Sequence, residues 1–337
     1  MKTLKIFILT LLFLSLAEKA TADYTSALEA FQSRHYTEAI EELKEPLKEN
    51  DPRADYLMGY LCYQGLGIPQ SDSKAVYYFK MAADQDYPEA QTFLAYLYDE
   101  GRGVPQDKRK AFDLYQKCSE RGDITATINL GVMYYKGDAV PQNYSKSFDL
   151  LHNIEEYNSK VLQLYLGNFY YYGNGVKQNT GKAVKYYLRA AELGSIEAHY
   201  LLAHIISTED FPEKLFGRPM PPASELYLYA AQMGYPVAQF NLGSMHMKEN
   251  PPNPEKAYAW FSLAADNGDT RAEDALFNLD ESLSLDQLSV ANDYLLELKK
   301  IDVSALKSPI RPISTKKIEE EVPKKRPPRS NRMLKRR

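Results

Sequence analysis

One pair of residues recurs along this chain with a fixed step of 36. Leu130-Gly131 is preceded by Leu94-Ala95 and Met58-Gly59 and followed by Leu166-Gly167 and Leu202-Ala203. Leu242-Gly243 continues the series after four extra residues. A period of this length marks supersecondary units that cannot bury their apolar faces alone and must stack on neighbours. It overrides the prior that 337 residues hold two globular domains. Function is then expected on a surface or a tail rather than in one pocket.

Residues 160–195 show what a unit contains. Leu162, Leu166, Phe169 and Tyr170 share one face of a helix. Gly173-Asn174-Gly175-Val176 follows, and two glycines this close end a helix and permit positive φ. Ala183, Tyr186, Tyr187, Ala190 and Ala191 return to helical spacing before Gly194 stops the second segment. The unit reads as a helix–turn–helix hairpin, with small residues where its helices approach. Gly65, Gly101 and Gly137 match Gly173, while Ala139 departs from the pattern of Gly67, Gly103 and Gly175. Ala82-Ala83, Ala230-Ala231 and Ala264-Ala265 match Ala190-Ala191.

Set out in order, the pattern is A-x-x-x-L-G-x-x-Y-x-x-G-x-G-V, then K-A, then A-A-x-x-G. Ala126, Leu130, Gly131, Tyr134, Gly137 and Val140 show it, as do Ala90, Leu94, Tyr98, Gly101, Gly103 and Val104. It resembles the Sel-one-like repeat family, relatives of the tetratricopeptide repeat, and covers roughly residues 52–280 in register. The resemblance implies an all-α chain, a right-handed α-solenoid of stacked helix–turn–helix hairpins that binds other proteins, of the exported bacterial type. Six repeats are expected at about 52–87, 88–123, 124–159, 160–195, 196–235 and 236–269, giving about sixteen helices and no sheet.

Three departures are expected to alter the superhelical pitch. Residues 207–222 replace the glycine turn with a stretch holding Pro212, Pro219, Pro221 and Pro222, which excludes a continuous helix. Pro251, Pro252 and Pro254 shorten the next loop. In the third repeat Ile154-Glu155 replaces Ala-Ala and Asn158 replaces the stop glycine. The ends read as caps. A degenerate hairpin occupies 23–51. Residues 270–300 hold a partial repeat and a capping helix, opened by Ser284-Leu285-Asp286-Gln287, a capping-box sequence.

Residues 1–22 carry Lys2 and Lys5, an apolar run from Ile6 to Leu16, and Ala20-Thr21-Ala22. That order is expected to be a signal peptide with cleavage after Ala22, the alternative being a retained membrane anchor. The run is about half a bilayer span, so no transmembrane segment is expected in the mature chain. The protein is expected to be exported, periplasmic or secreted, from a Gram-negative bacterium. Export permits disulfides, yet Cys62 and Cys118 occupy non-adjacent repeat positions with a helix between them, and are expected to be buried thiols.

Chemical signals are sparse. His35, His152, His199, His204 and His246 lack metal-ligand spacing, and no nucleophile elbow, phosphate loop or paired-cysteine site appears. The chain is expected to be no enzyme and to hold no cofactor or metal. In tetratricopeptide-like arrays the first helices line the concave groove. Mapped here, the inward positions are Tyr56, Tyr60, Tyr63, Tyr96, Asp99, Tyr135, Asn168, Tyr171, the adjacent Tyr172, Tyr200 and His204. Tyrosine combines apolar area, a polar tip and little entropy to lose, which suits recognition. The alternative is that these rings pack between neighbouring first helices.

Charge is divided along the chain. Residues 307–337 hold 12 Lys and Arg against three Glu, a net of +9, whereas 23–306 hold 26 basic and 41 acidic residues, a net of −15. The proline-rich, apolar-poor segment from 301 onward is expected to be disordered. Lys324, Lys325, Arg326, Lys335, Arg336 and Arg337 are its polyanion-binding candidates, and the tail has the alternative of folding back on the acidic body. Two functions remain: an exported scaffold holding a protein or peptide, in envelope organisation or host contact; or an envelope-associated binder of anionic lipid or polysaccharide. Nucleic acid is not an expected partner, and the chain is expected to be a monomer.

Overall fold

The computed structural model describes residues 24–208, 214–215 and 218–310. Residues 1–22, expected to be a signal peptide, Pro212 and all six polyanion-binding candidates lie outside the described residues. Seventeen α-helices occur among those described. Helix α1 spans 24–32. It is followed by α2 (Tyr36–Glu42), α3 (Lys44–Lys48), α4 (Pro52–Gln64), α5 (Asp72–Asp84), α6 (Pro88–Glu100), α7 (Lys108–Glu120), α8 (Ile124–Lys136) and α9 (Tyr144–His152). Then come α10 (Lys160–Tyr172), α11 (Thr180–Glu192), α12 (Ile196–Thr208), α13 (Ala223–Gln232), α14 (Pro236–Met247), α15 (Pro254–Asp266), α16 (Thr270–Ser282) and α17 (Leu285–Lys299). The fold is all-α, of the α-solenoid class, built from stacked helix–turn–helix hairpins.

Local chemistry fixes the helix bounds. Asp51, Ser71, Asp107, Asp123 and Asn143 each cap a helix by accepting from a backbone N–H two or three residues on. Pro52, Pro88, Pro236 and Pro254 stand in first turns, where the missing N–H has no partner to lose. Gly65, Gly101 and Gly137 end α4, α6 and α8 in the left-handed region, with φ of +69°, +68° and +80°.

The repeated small residue of each first helix faces a large side chain of its own second helix. A Cβ on Gly131 would stand 2.6 Å from Leu151 Cδ2, one on Gly167 2.4 Å from the Tyr187 ring, and one on Gly243 2.6 Å from the Phe261 ring. Such distances are closer than carbon atoms can approach, so the spacing within these hairpins depends on the absent methyl.

The chain forms two compact units, residues 1–157 with 168–180, and residues 158–167 with 181–337. In the first, α4 pairs with α5, α6 with α7 and α8 with α9, and the second helices α5 and α7 pack on the next first helices, α6 and α8. Helix α9 is the short one, nine residues ending at His152. The chain leaves the helix over 153–158, where Ile154-Glu155 and Asn158 replace Ala-Ala and the stop glycine. In the second, α12 pairs with α13 and α14 with α15, while α17 lies against α15. Phe277 on α16 occupies the place of Gly243 one repeat later and is 63% exposed. A ring in that place leaves no room for a second helix to approach as closely as it does at Gly243. Gln287 instead donates to Glu255, Lys299 pairs with Asp266, and Lys256 sits 5.7 Å over the Tyr294 ring, joining α17 to α15.

Two expectations are corrected. Between α12 and α13, where no sheet was expected, Lys214–Leu215 pairs antiparallel with Arg218–Pro219. Prolines and four inserted residues replace the glycine turn there, and the four paired residues are extended. The segment 301–310, expected to begin the disordered tail, packs on the second unit. Val303–Ala305 forms a 3₁₀ turn, and Ile310 is only 3% exposed. Its apolar residues, Ile301, Val303, Leu306 and Ile310, set it apart from the basic chain beyond. The capping box at Ser284 and Gln287 is present with both hydrogen bonds.

Candidate functional site

The candidate residues of the first unit sit on α4, α6, α8 and the last turns of α10. Tyr56, Tyr60, Tyr63, Tyr96, Asp99, Tyr135 and Tyr171 are half-buried, Asn168 is buried, and Tyr172 is 55% exposed. Tyr60 meets Phe31 and Phe93 edge-on with centroids 5.8 and 6.0 Å apart, and Tyr63 meets Phe93 and Tyr96 at 5.8 and 6.3 Å. Tyr56 contacts Phe79, Tyr87 and Phe93. Burial raises the Tyr56 and Tyr63 phenols above their ordinary range and pushes Tyr87 up to about 12. These phenols stay neutral at physiological pH. Each ring therefore shares its edges with neighbouring hairpins and leaves part of its surface to solvent.

Residues from the turns brace this row. Arg102, beyond α6, donates to Asp72 at 2.8 and 3.0 Å and to the Tyr63 hydroxyl at 2.6 Å, with its guanidinium 4.5 Å over the Tyr63 ring. One repeat on, the charges are exchanged: Asp138 pairs with Lys108 at 3.0 Å. Lys108 lowers the nearby Asp99 carboxyl, but burial outweighs it and holds Asp99 above its ordinary value. One repeat further, Asn174 donates to the Tyr135 hydroxyl at 3.2 Å. Three successive turns thus link neighbouring hairpins by an ion pair, its reverse and a neutral amide, and the first and third of them also hold a tyrosine hydroxyl. Sequence reading found the tyrosines but missed Phe93, Arg102 and Asp72. The signal for the braces was the position after the first turn glycine, where Arg102 and Asp138 each face an opposite charge 30 residues earlier, whereas Asn174 reaches Tyr135, 39 residues earlier.

In the second unit, Tyr200 and His204 are half-buried on α12, with rings stacked at 6.3 Å. Tyr200 also meets Tyr227 and Tyr235, and its hydroxyl accepts from Asn241 at 3.3 Å.

A second periodic feature was also missed. Asp55, Gln91, Thr127, Gln163, His199 and Gln239 hold equivalent first-helix positions, and all are buried. Gln91 donates to Ala83 O and Gln239 to Ala231 O, each stitching a first helix to the end of the second helix before it. Thr127 bonds Ser119 in the same junction. At Asp55 an acid stands in this place. Its Oδ2 has no partner, and burial with the nearby Asp51 charge pushes its carboxyl up to about 6.

Cys62 and Cys118 are free and buried. Among the described residues, no three His, Cys, Asp or Glu side chains converge as metal ligands, and no helix is long and apolar enough to cross a membrane.

The Sel1 repeat family model matches five segments, 52–87, 88–123, 124–152, 162–195 and 236–269. The third match ends where α9 ends, and the proline-bearing hairpin of α12 and α13 is not among them. The fold is similar to a Sel1 repeat protein from Oxalobacter formigenes, at 26% identity and TM-score 0.60 over 72% of this chain and 96% of that one. It is also similar to a protective antigen present in uropathogenic Escherichia coli strains, at 25% identity and TM-score 0.57. That match covers 85% of this chain, which spans 62% of the antigen's length. No curated protein matches the chain in sequence.

Proposed function

The chain belongs to the Sel1 repeat family, and on that premise we propose that it is a non-enzymatic, exported interaction scaffold. Its partner is a protein or peptide bound along the first helices of the first unit. The observation carrying this reading is the row of half-buried tyrosines braced by turn residues. A braced ring loses little side-chain entropy on binding, and its exposed edge offers both apolar area and a hydroxyl. Tyr172 extends the row into solvent. The likeness to an antigen of uropathogenic bacteria supports an envelope or host-contact setting, with residues 1–22 as the export signal. The scaffold acts as a monomer of six repeats between terminal caps.

The charge division favours a second reading, in which Lys324, Lys325, Arg326, Lys335, Arg336 and Arg337 grip anionic lipid or polysaccharide. Such charges contribute about 1 kcal/mol each at an anionic surface and are screened over about 8 Å at physiological salt. Aromatic contacts depend on buried area and tolerate salt. The test compares Tyr60→Ala/Tyr96→Ala/Tyr171→Ala with a chain ending at 310, which keeps the packed segment that holds Ser308 and Ile310, in envelope pull-downs at 50 and 500 mM salt. Loss of one protein band at both salts in the triple variant supports the scaffold. Salt-sensitive loss confined to the truncated chain supports the tail reading instead.

A further inference from the structure

Five of the six equivalent buried polar residues are Asp, Gln or Thr. The sixth, His199, reaches a segment 109 residues further along. His199 is fully buried on α12. Its Nδ1 lies 2.8 Å from Ser195 O and its Nε2 2.7 Å from Ser308 Oγ. A carbonyl oxygen only accepts, so Nδ1 carries the hydrogen. In the neutral ring Nε2 is then the acceptor, and the Ser308 hydroxyl donates to it. Ser308 Oγ also accepts from Ile310 N–H at 3.0 Å, which turns the chain so that Ile310 is buried. Tyr229 on α13 closes the other side, its ring 4.6 Å from the imidazole.

We propose that His199 and Ser308 form an acid-sensitive clasp, which holds the strap 303–310 on the second unit at neutral pH and releases it in acid. The strap directly precedes the basic segment in sequence, so the clasp fixes the point at which that segment begins. Protonating Nε2 turns an acceptor into a second donor facing Ser308. The hydroxyl can turn to Ile310 O, 2.9 Å away, but the new charge stays buried. His199 makes no ion pair. Tyr229 is the titratable group packed on it, and no carboxylate acts on its charge. Burial accordingly holds the imidazole below its ordinary value, against the opposing Ser195 hydrogen bond. The sign follows from this depression. The clasp is at full strength above the ordinary histidine value of about 6.5 and weakens about tenfold per pH unit below it, until the folded-state value is reached.

The test is hydrogen–deuterium exchange of peptides covering 303–310 in the full-length protein at pH 7.5 and 5.5, corrected for intrinsic exchange, with circular dichroism as a check on folding. The parent is expected to lose protection on acidification, by at most about tenfold over this step. Ser308→Ala is expected to be unprotected at both pH values. His199→Gln, which installs the residue of the second, fourth and sixth hairpins, is expected to show no pH response at either level of protection. A pH response that persists in His199→Gln, or a strap as protected in Ser308→Ala as in the parent, overturns the proposal.

Discussion

Replacing Gly131 by Leu should damage the third hairpin specifically, and the structure says which atoms cause the damage. Gly131 lies in the middle of α8, and a Cβ there would stand 2.6 and 2.7 Å from Leu151 Cδ2 and Cγ on α9. Leu151 is fully buried and has no free space to turn into. Overpacking of this kind costs about 1–3 kcal/mol, and a leucine adds three carbons beyond the Cβ already in conflict, so the upper end is expected. Leu151→Ala alone opens a cavity and costs about 2–5 kcal/mol. Combined, the two changes should be less harmful than their sum by at least about 1 kcal/mol, because the introduced leucine occupies the volume that Leu151 vacates. Urea unfolding followed by circular dichroism gives the global values. Hydrogen exchange of α8 and α9 localises the effect, which a repeat protein need not transmit to distant hairpins. Strict additivity, or an unchanged melting curve for Gly131→Leu, would refute the close-contact argument.

Further expectations rest on other contacts. Asp55 is held at about 6 by burial; for an acid whose folded value is raised, stability is complete below the unfolded value of 3.8 and falls as pH rises to about 6. Asp55→Asn should therefore stabilise the chain at pH 7.5 and flatten its stability profile between pH 4 and 6; a profile unchanged from the parent would refute this. Arg102→Ala removes a two-pronged ion pair and the Tyr63 hydrogen bond, and should cost about 1 kcal/mol, read by thermal melting; no measurable loss would mean that the brace is dispensable. The single tryptophan, Trp260, is buried beside α17, so ending the chain at 283 should shift its fluorescence to the red. An unshifted spectrum would show that α17 does not cover it.

The sequence carried the fold because the glycine, alanine and tyrosine positions repeat, and a repeated small residue has few explanations besides close approach. Helices α4, α6, α8, α10 and α12 start 36 residues apart as that period demands. What stayed hidden were interactions whose residue type changes while their job does not. Arg102, Asp138 and Asn174 share no chemistry as letters, and neither do Gln91, Thr127 and His199. Only their common position relates them, and only geometry reveals that the partner is another hairpin, or Ser308. The strap was illegible for a different reason. Its few apolar residues adjoin a strongly basic segment, and composition averaged over both concealed the boundary near Ile310.

The central claim is that a protein partner lies along the first helices of the first unit. Site-specific photocross-linking tests it most directly. A benzophenone side chain placed at Tyr96 or Tyr172 should capture one discrete protein in envelope extracts. The same group at Tyr77, exposed on the second helix α5, should not. Capture at Tyr77 alone, or equally at all three positions, would contradict the account.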